Sequence, residues 1–67
     1  MIELQVNGES QTYPIGTSLP DLLTQIGLNP RLVAVEYNGE ILPRQFWTTT
    51  IVQAGDRLEI VTIIGGG

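Results

Sequence analysis

Gly16-Thr17-Ser18-Leu19-Pro20-Asp21-Leu22-Leu23-Thr24-Gln25-Ile26-Gly27 is the stretch on which the fold turns. Ser18 carries the short hydroxyl of a helix N-cap, and Pro20 is tolerated in a first turn whose amides lack partners. Asp21, three residues on, takes the acidic slot of a capping box beside the positive helix end. Leu19, Leu22, Leu23 and Ile26 recur at i, i+3, i+4 and i+7 and make one apolar stripe. Gly27 follows at C′, and Pro30 bars continuation. The spacing predicts a helix over 19–26. A helix this short does not persist alone in water, so its stripe must pack on something.

The flanking sequence supplies a sheet. Upstream, residues 2 to 7 alternate strictly, with Ile2, Leu4 and Val6 on one face and Glu3, Gln5 and Asn7 on the other. Asn7-Gly8 then reads as a type I′ hairpin turn. Residues 9 to 15 form the return strand, with Gln11, Tyr13 and Ile15 on one side. Pro14 cannot donate to a ladder, which puts this strand at the sheet edge. Downstream, Leu32 to Tyr37 is β-branched and apolar, a third strand. Asn38-Gly39 makes a second hairpin turn, and Glu40-Ile41-Leu42 a short return strand stopped by Pro43. Residues 44 to 47 read as an irregular or single-turn helical connection, 48 to 52 as weakly extended, 53 to 56 as a turn and 57 to 64 as the last strand.

The order is hairpin, helix, hairpin, strand. One helix with one stripe lies across one face of a single mixed sheet, and a final strand parallel to the first closes it. The expectation is an α+β, β-grasp architecture, ubiquitin-like, over residues 1–64, with a glycine tail at 65–67.

Composition narrows the chemistry. The chain has 67 residues, room for one domain, and a net charge of −4. It has neither cysteine nor histidine, and its basic residues are Arg31, Arg44 and Arg57, so lysine is absent too. That removes disulfides, thiolate metal sites, the commonest general base and Schiff-base catalysis. Three scattered arginines on an acidic chain do not make a nucleic-acid footprint. The apolar runs are too short for a membrane span, and Met1-Ile2-Glu3-Leu4 is no signal peptide. The expectation is a cytoplasmic protein with no metal, no bound cofactor, no nucleic acid and no membrane partner.

Few side chains are left to work with. The carboxylates of Glu3, Glu9, Asp21, Glu36, Glu40, Asp56 and Glu59 fall at no spacing that forces two together, and read as solvated surface. Serines and threonines have no histidine or lysine to activate them. No catalytic residue is expected. At least one of Phe46 and Trp47 plugs the end of the core, and Tyr13 and Tyr37 pack on strand faces. Arg44 has two uses open to it: capping backbone carbonyls, or meeting an acidic partner. On the last strand Leu58, Ile60, Thr62 and Ile64 share one face, while Val61 and Ile63 share the other with Arg57 and Glu59. If the helix covers the first face, Val61 and Ile63 form a partner-binding patch; the loop around Trp47 partly covering them is the competing arrangement.

Gly65-Gly66-Gly67 adds nothing to a core. Three such residues reach at most about 10 Å and thread a channel too narrow for any Cβ. The α-carboxylate they would deliver is ionised at neutral pH and attacks the α-phosphate of ATP competently. A plain flexible tail or a scar of expression would look the same on these residues alone.

With these residues in view, the whole chain resembles the ThiS family, the sulfur carriers of thiamine biosynthesis. The likeness is clearest from Val33 to Gly67: Val33-Ala34-Val35-Glu36-Tyr37-Asn38-Gly39-Glu40, then Ile41-Leu42-Pro43-Arg44 with Trp47, then Ile51 to Arg57, then the apolar strand into glycines. Phe46 departs from the more usual polar residue. The resemblance implies that an E1-like enzyme of the ThiF type adenylates Gly67 with ATP. Sulfur from a cysteine desulfurase then displaces the adenylate and leaves a thiocarboxylate. A ThiG-like thiazole synthase accepts that sulfur. It implies a shuttle and not an enzyme. The glycine end is shared with MoaD-like carriers for molybdopterin synthesis and with ubiquitin-like modifiers, and a non-covalent β-grasp interaction module is a further alternative. A [2Fe–2S] ferredoxin of similar fold needs four cysteines and is excluded.

Overall fold

Asn7 and Asn38 hold positive φ angles of 52° and 51°, and Gly8 and Gly39 after them 82° and 89°, in the computed structural model, which describes residues 1–63. That is the pairing a type I′ turn requires, and each turn closes a hairpin. The first joins β1 (Ile2–Val6) to β2 (Glu9–Tyr13), and the second joins β3 (Val33–Tyr37) to β4 (Glu40–Ile41). Between them lies α1 (Leu19–Ile26), and β5 (Arg57–Thr62) comes last. Short 3-10 segments occupy Pro30–Leu32 and Arg44–Thr49.

The strands form one mixed sheet in the order β2-β1-β5-β3-β4. β5 runs parallel to β1 and antiparallel to β3. This is the β-grasp fold. The turn asparagines also hold the central strand: Asn7 Oδ1 accepts from the Ile60 amide at 2.7 Å, and Asn38 Oδ1 from the Arg57 amide at 2.8 Å.

The helix starts as its residues dictate. Ser18 Oγ accepts from the Asp21 amide at 3.2 Å, and Gly27 ends the helix in the left-handed region at φ 93°. Leu19, Leu22 and Leu23 are fully buried, in one cluster with Leu4 and Val6 of β1, Val33 and Val35 of β3, and Leu58 and Ile60 of β5. Each such side chain contributes about 1.5–3 kcal/mol of apolar burial. Ile26, the last of the stripe, sits at the margin and is partly exposed.

Several boundaries differ from expectation. β2 stops at Tyr13, whose partner Ile2 is the first residue of β1. Pro14 instead opens a turn, its carbonyl accepting from the amide and hydroxyl of Thr17. Ile15 therefore lies off the sheet face and is 80 % exposed. Leu32 belongs to the 3-10 turn rather than to β3, and β4 ends at Ile41 because Pro43 has no amide for the ladder. The extended stretch expected at 48–52 is reduced to one bridge, Ile51 with Ser18, because 3-10 structure runs on through Thr49. β5 ends at Thr62, so Ile63 lies beyond the strand; Ile64 lies outside the described residues.

Two carboxylate expectations also change. Asp56 is buried, accepting from the Asn38 side-chain amide at 3.1 Å, the Gln53 backbone amide at 2.7 Å and the Tyr37 hydroxyl. Glu36 and Glu59 are direct cross-strand partners on β3 and β5. Register between distant strands brings these acids together, which sequence spacing does not reveal.

Candidate functional site

Alternation along β5 sorts its side chains between two environments. Leu58 and Ile60 enter the core, and Arg57, Glu59 and Val61 face the other way. Val61 is 60 % exposed and Ile63 46 % exposed, as the pattern predicts. The Ile63 amide donates to the Leu32 carbonyl at 2.6 Å, so Ile63 stays attached to the start of β3 although it is outside the strand.

The apolar surface here is wider than those two residues. Ala34 is the cross-strand partner of Val61, and Ile41 that of Glu36, on the same side of the sheet. Ile41 is 71 % exposed. A shallow hollow of about 210 Å3 is lined by Ala34, Ile41, Pro43, Arg44, Trp47 and Ile63 among others. Sequence reasoning missed Ile41. The signal was available: a two-residue turn at Asn38-Gly39 fixes Glu36 opposite Ile41, and so places it with Val61.

Trp47 forms the floor of this region. Its ring is buried, and its indole N–H donates to the Leu42 carbonyl at 2.9 Å, while neighbouring Phe46 is exposed. Trp47 is thus the residue that plugs the core end. Because the hollow includes both Trp47 and Ile63, the loop flanks Ile63 without burying it. Of the two uses open to Arg44, the structure displays the first: its guanidinium donates to the carbonyls of Val33 at 2.7 Å, Arg31 at 3.3 Å and Pro30. It also lies 4.8 Å from the centre of the Trp47 ring.

The other half of this sheet face is polar. Two further hollows flank Arg57, one with Glu3, Gln5 and Ser10, the other with Glu36 and Glu59. Among the described residues, no group of three or more His, Cys, Asp or Glu side chains is placed to hold a metal ion, and no helix is long and apolar enough to cross a membrane. Two tyrosines are perturbed. Burial raises the Tyr13 phenol. Burial, then the hydrogen bond and charge of Asp56, push Tyr37 up to about 12. Tyr37 therefore stays a neutral donor to Asp56 throughout the physiological range. Gly65, Gly66 and Gly67, the residues expected to enter a partner's active site, lie outside the described residues.

What the arrangement offers is an exposed apolar strip that leads along β5 to Ile63, set on one face of the sheet. Comparison with known proteins matches residues 4–67 to the ThiS family model. A thiazole synthase of Paramagnetospirillum magneticum is 41% identical over 66 residues, 98% of this chain but only 20% of that protein's length. The sulfur carrier protein ThiS of Escherichia coli K12 is 29% identical, over 98% of this chain and 100% of its own. The crystal structure of a thiamine biosynthesis protein (ThiS) from Geobacter metallireducens superimposes with a TM-score of 0.84 at 33% identity, covering 98% of this chain and 100% of that one.

Proposed function

Because the chain belongs to the ThiS family, we propose that it is a sulfur carrier for thiamine biosynthesis whose reacting group is the Gly67 carboxylate. The observation that carries this reading is the family match over nearly the whole chain, joined to a glycine-only segment at 65–67 that follows an exposed apolar strip. The Gly67 carboxylate attacks the α-phosphate of ATP in an E1-like enzyme of the ThiF type, forming an acyl-adenylate and releasing pyrophosphate. A persulfide derived from a cysteine desulfurase displaces AMP and forms an acyl disulfide, and a second thiol then cleaves its S–S bond, releasing the thiocarboxylate and leaving a disulfide. Glycine suits the segment because no Cβ obstructs a narrow channel.

Val61 and Ile63, with Ala34 and Ile41, dock the partner enzymes. An apolar patch on an otherwise polar sheet face is the kind of surface that marks a protein interface. The thiazole synthase relative, of which this chain matches a fifth, supports a ThiG-like synthase as the sulfur acceptor. The carrier holds no cofactor of its own, is a substrate of these enzymes, and works in the cytoplasm.

Intact mass after incubation with ATP, a ThiF-like enzyme, a cysteine desulfurase, cysteine and a thiol reductant tests the reading. An oxygen-to-sulfur exchange at the C-terminus is expected, and none when Gly67 is deleted. Isopeptide-linked adducts without that exchange would instead identify a protein modifier.

A further inference from the structure

β4 stops early. The Leu42 amide still donates to the Val35 carbonyl at 2.9 Å, and then Pro43 turns the chain away. Among the described residues, the edge of β3 upstream of Val35 has no strand partner. At this edge the carbonyls of Arg31 and Val33 accept from Arg44, while that of Leu32, between them, accepts from the Ile63 amide just after β5.

Arg44 takes the place of the missing strand. One fork of its guanidinium reaches the carbonyls of both Val33 and Arg31, and the other reaches Pro30. The planar fork is suited to gathering several acceptors at once. It is itself held in place, lying over the ring of Trp47, which is buried and tied to the Leu42 carbonyl. On the far side of the same backbone, the Leu32 carbonyl accepts from the Ile63 amide at 2.6 Å. Among the described residues this is the bond nearest to residue 64.

We infer that Arg44 is a positioning residue for the reacting C-terminal segment. By fixing the carbonyls on either side of Leu32, it presents the Leu32 carbonyl to the Ile63 amide and sets the position of Ile63, from which the tether to Gly67 begins. This rests on the proposed role of Gly67. The four residues after Ile63 span at most about 14 Å, so the position of Ile63 bounds where the carboxylate can arrive. A displacement of about 1 Å at a reacting centre costs on the order of a hundredfold in rate.

The test pairs amide exchange with kinetics. In Arg44→Gln and Arg44→Lys, the Ile63 amide is expected to exchange at least about tenfold faster, with Ile60 unchanged within about twofold, because only a planar fork spans the three carbonyls. Adenylation, followed as ATP–pyrophosphate exchange with a ThiF-like enzyme, is expected to lose about tenfold or more in kcat at a nearly constant KM for the carrier. Ile63→Pro lacks the amide and is expected to show the same kcat loss relative to Ile63→Ala, which keeps it; adding Arg44→Gln to Ile63→Pro costs nothing more. A raised KM at unchanged kcat would overturn the inference and make Arg44 a docking contact. Uniformly faster exchange at all amides would make its role one of general stability. Ile63→Pro matching Ile63→Ala would show that the anchor plays no part. A wild-type carrier that is not adenylated at all would refute the sulfur-carrier reading, while the Ile63 amide would still report on the anchor.

Discussion

Replacing Asp56 with alanine is expected to remove about a fifth or more of the stability of this domain. The carboxylate is 8 % exposed and accepts three hydrogen bonds, from the Tyr37 hydroxyl, the Asn38 side-chain amide and the Gln53 backbone amide. Bonds to a charged acceptor contribute about 1.5–3 kcal/mol each. Asn38 and Gln53 are exposed residues and regain water when the acceptor goes, so the three do not sum in full. The expected loss is about 2–3 kcal/mol, against about 3–10 kcal/mol in total for a chain of this length. That corresponds to a drop in Tm of roughly 10–20 °C. Urea denaturation monitored by circular dichroism measures the loss.

Tyrosinate absorbance provides a second reading. Tyr37 is pushed up to about 12, and its largest cause, burial, survives the substitution. Its titration is therefore expected to fall below the wild-type position and remain above the ordinary phenol value, with Tyr37→Phe assigning the signal against Tyr13. The sign for pH follows. The folded value lies above the unfolded one near 10, so this contribution is complete below about pH 10 and lost as pH rises towards 12. Because the ring is partly solvated, the loss is on the order of 1 kcal/mol. An Asp56→Ala midpoint within about 0.5 kcal/mol of wild type, or a Tyr37 that still titrates near 12, would refute the reasoning.

Three further outcomes are expected. Ser18→Ala loses the acceptor for the Asp21 amide and costs about 1 kcal/mol, read as a shifted denaturation midpoint; no shift would mean the cap is idle. Ile60→Asp places a charge in the core and unfolds the chain, whereas Ile63→Asp leaves circular dichroism unchanged and weakens pull-down by the ThiF-like enzyme; the reverse pattern would overturn the facing of the last strand. Deleting Gly67 changes stability by less than about 0.5 kcal/mol and abolishes adenylation, so normal adenylation of the shortened chain would remove Gly67 from the reaction.

What was legible in the sequence is what short-range chemistry specifies. Ser18, Asp21 and Gly27 mark the helix, and the Asn-Gly pairs mark both hairpins, because each acts on backbone groups within a few residues. The facing of Val61 follows from a period of two. What was misread or left open shares a different cause. Asp56 is buried by Tyr37 and Asn38, 19 and 18 positions away, and Arg44 finds carbonyls 11 to 14 positions away. No local pattern announces such partners. The 3-10 segment runs past the single turn expected at 44–47 although Thr48 and Thr49 favour extended structure, because tertiary burial of Trp47 holds it. The glycine tail was legible only as composition, and its role came through resemblance.

The place of β5 has a consequence for how the chain finds its structure. Among the described residues, the β1–β2 and β3–β4 hairpins share no ladder with each other, and within the sheet β5 alone joins them. A lone two-stranded hairpin is marginal in water. Neither half therefore gains a lasting advantage from forming first, and the rewarding contacts close a long loop, such as that between Asn7 and Ile60, 53 positions apart. Such topology slows folding relative to a helical bundle of the same size and sharpens it into a single all-or-none step. Stopped-flow refolding should show one exponential phase on the millisecond-to-second scale, and weakening β5 should slow folding more than weakening the β2 edge.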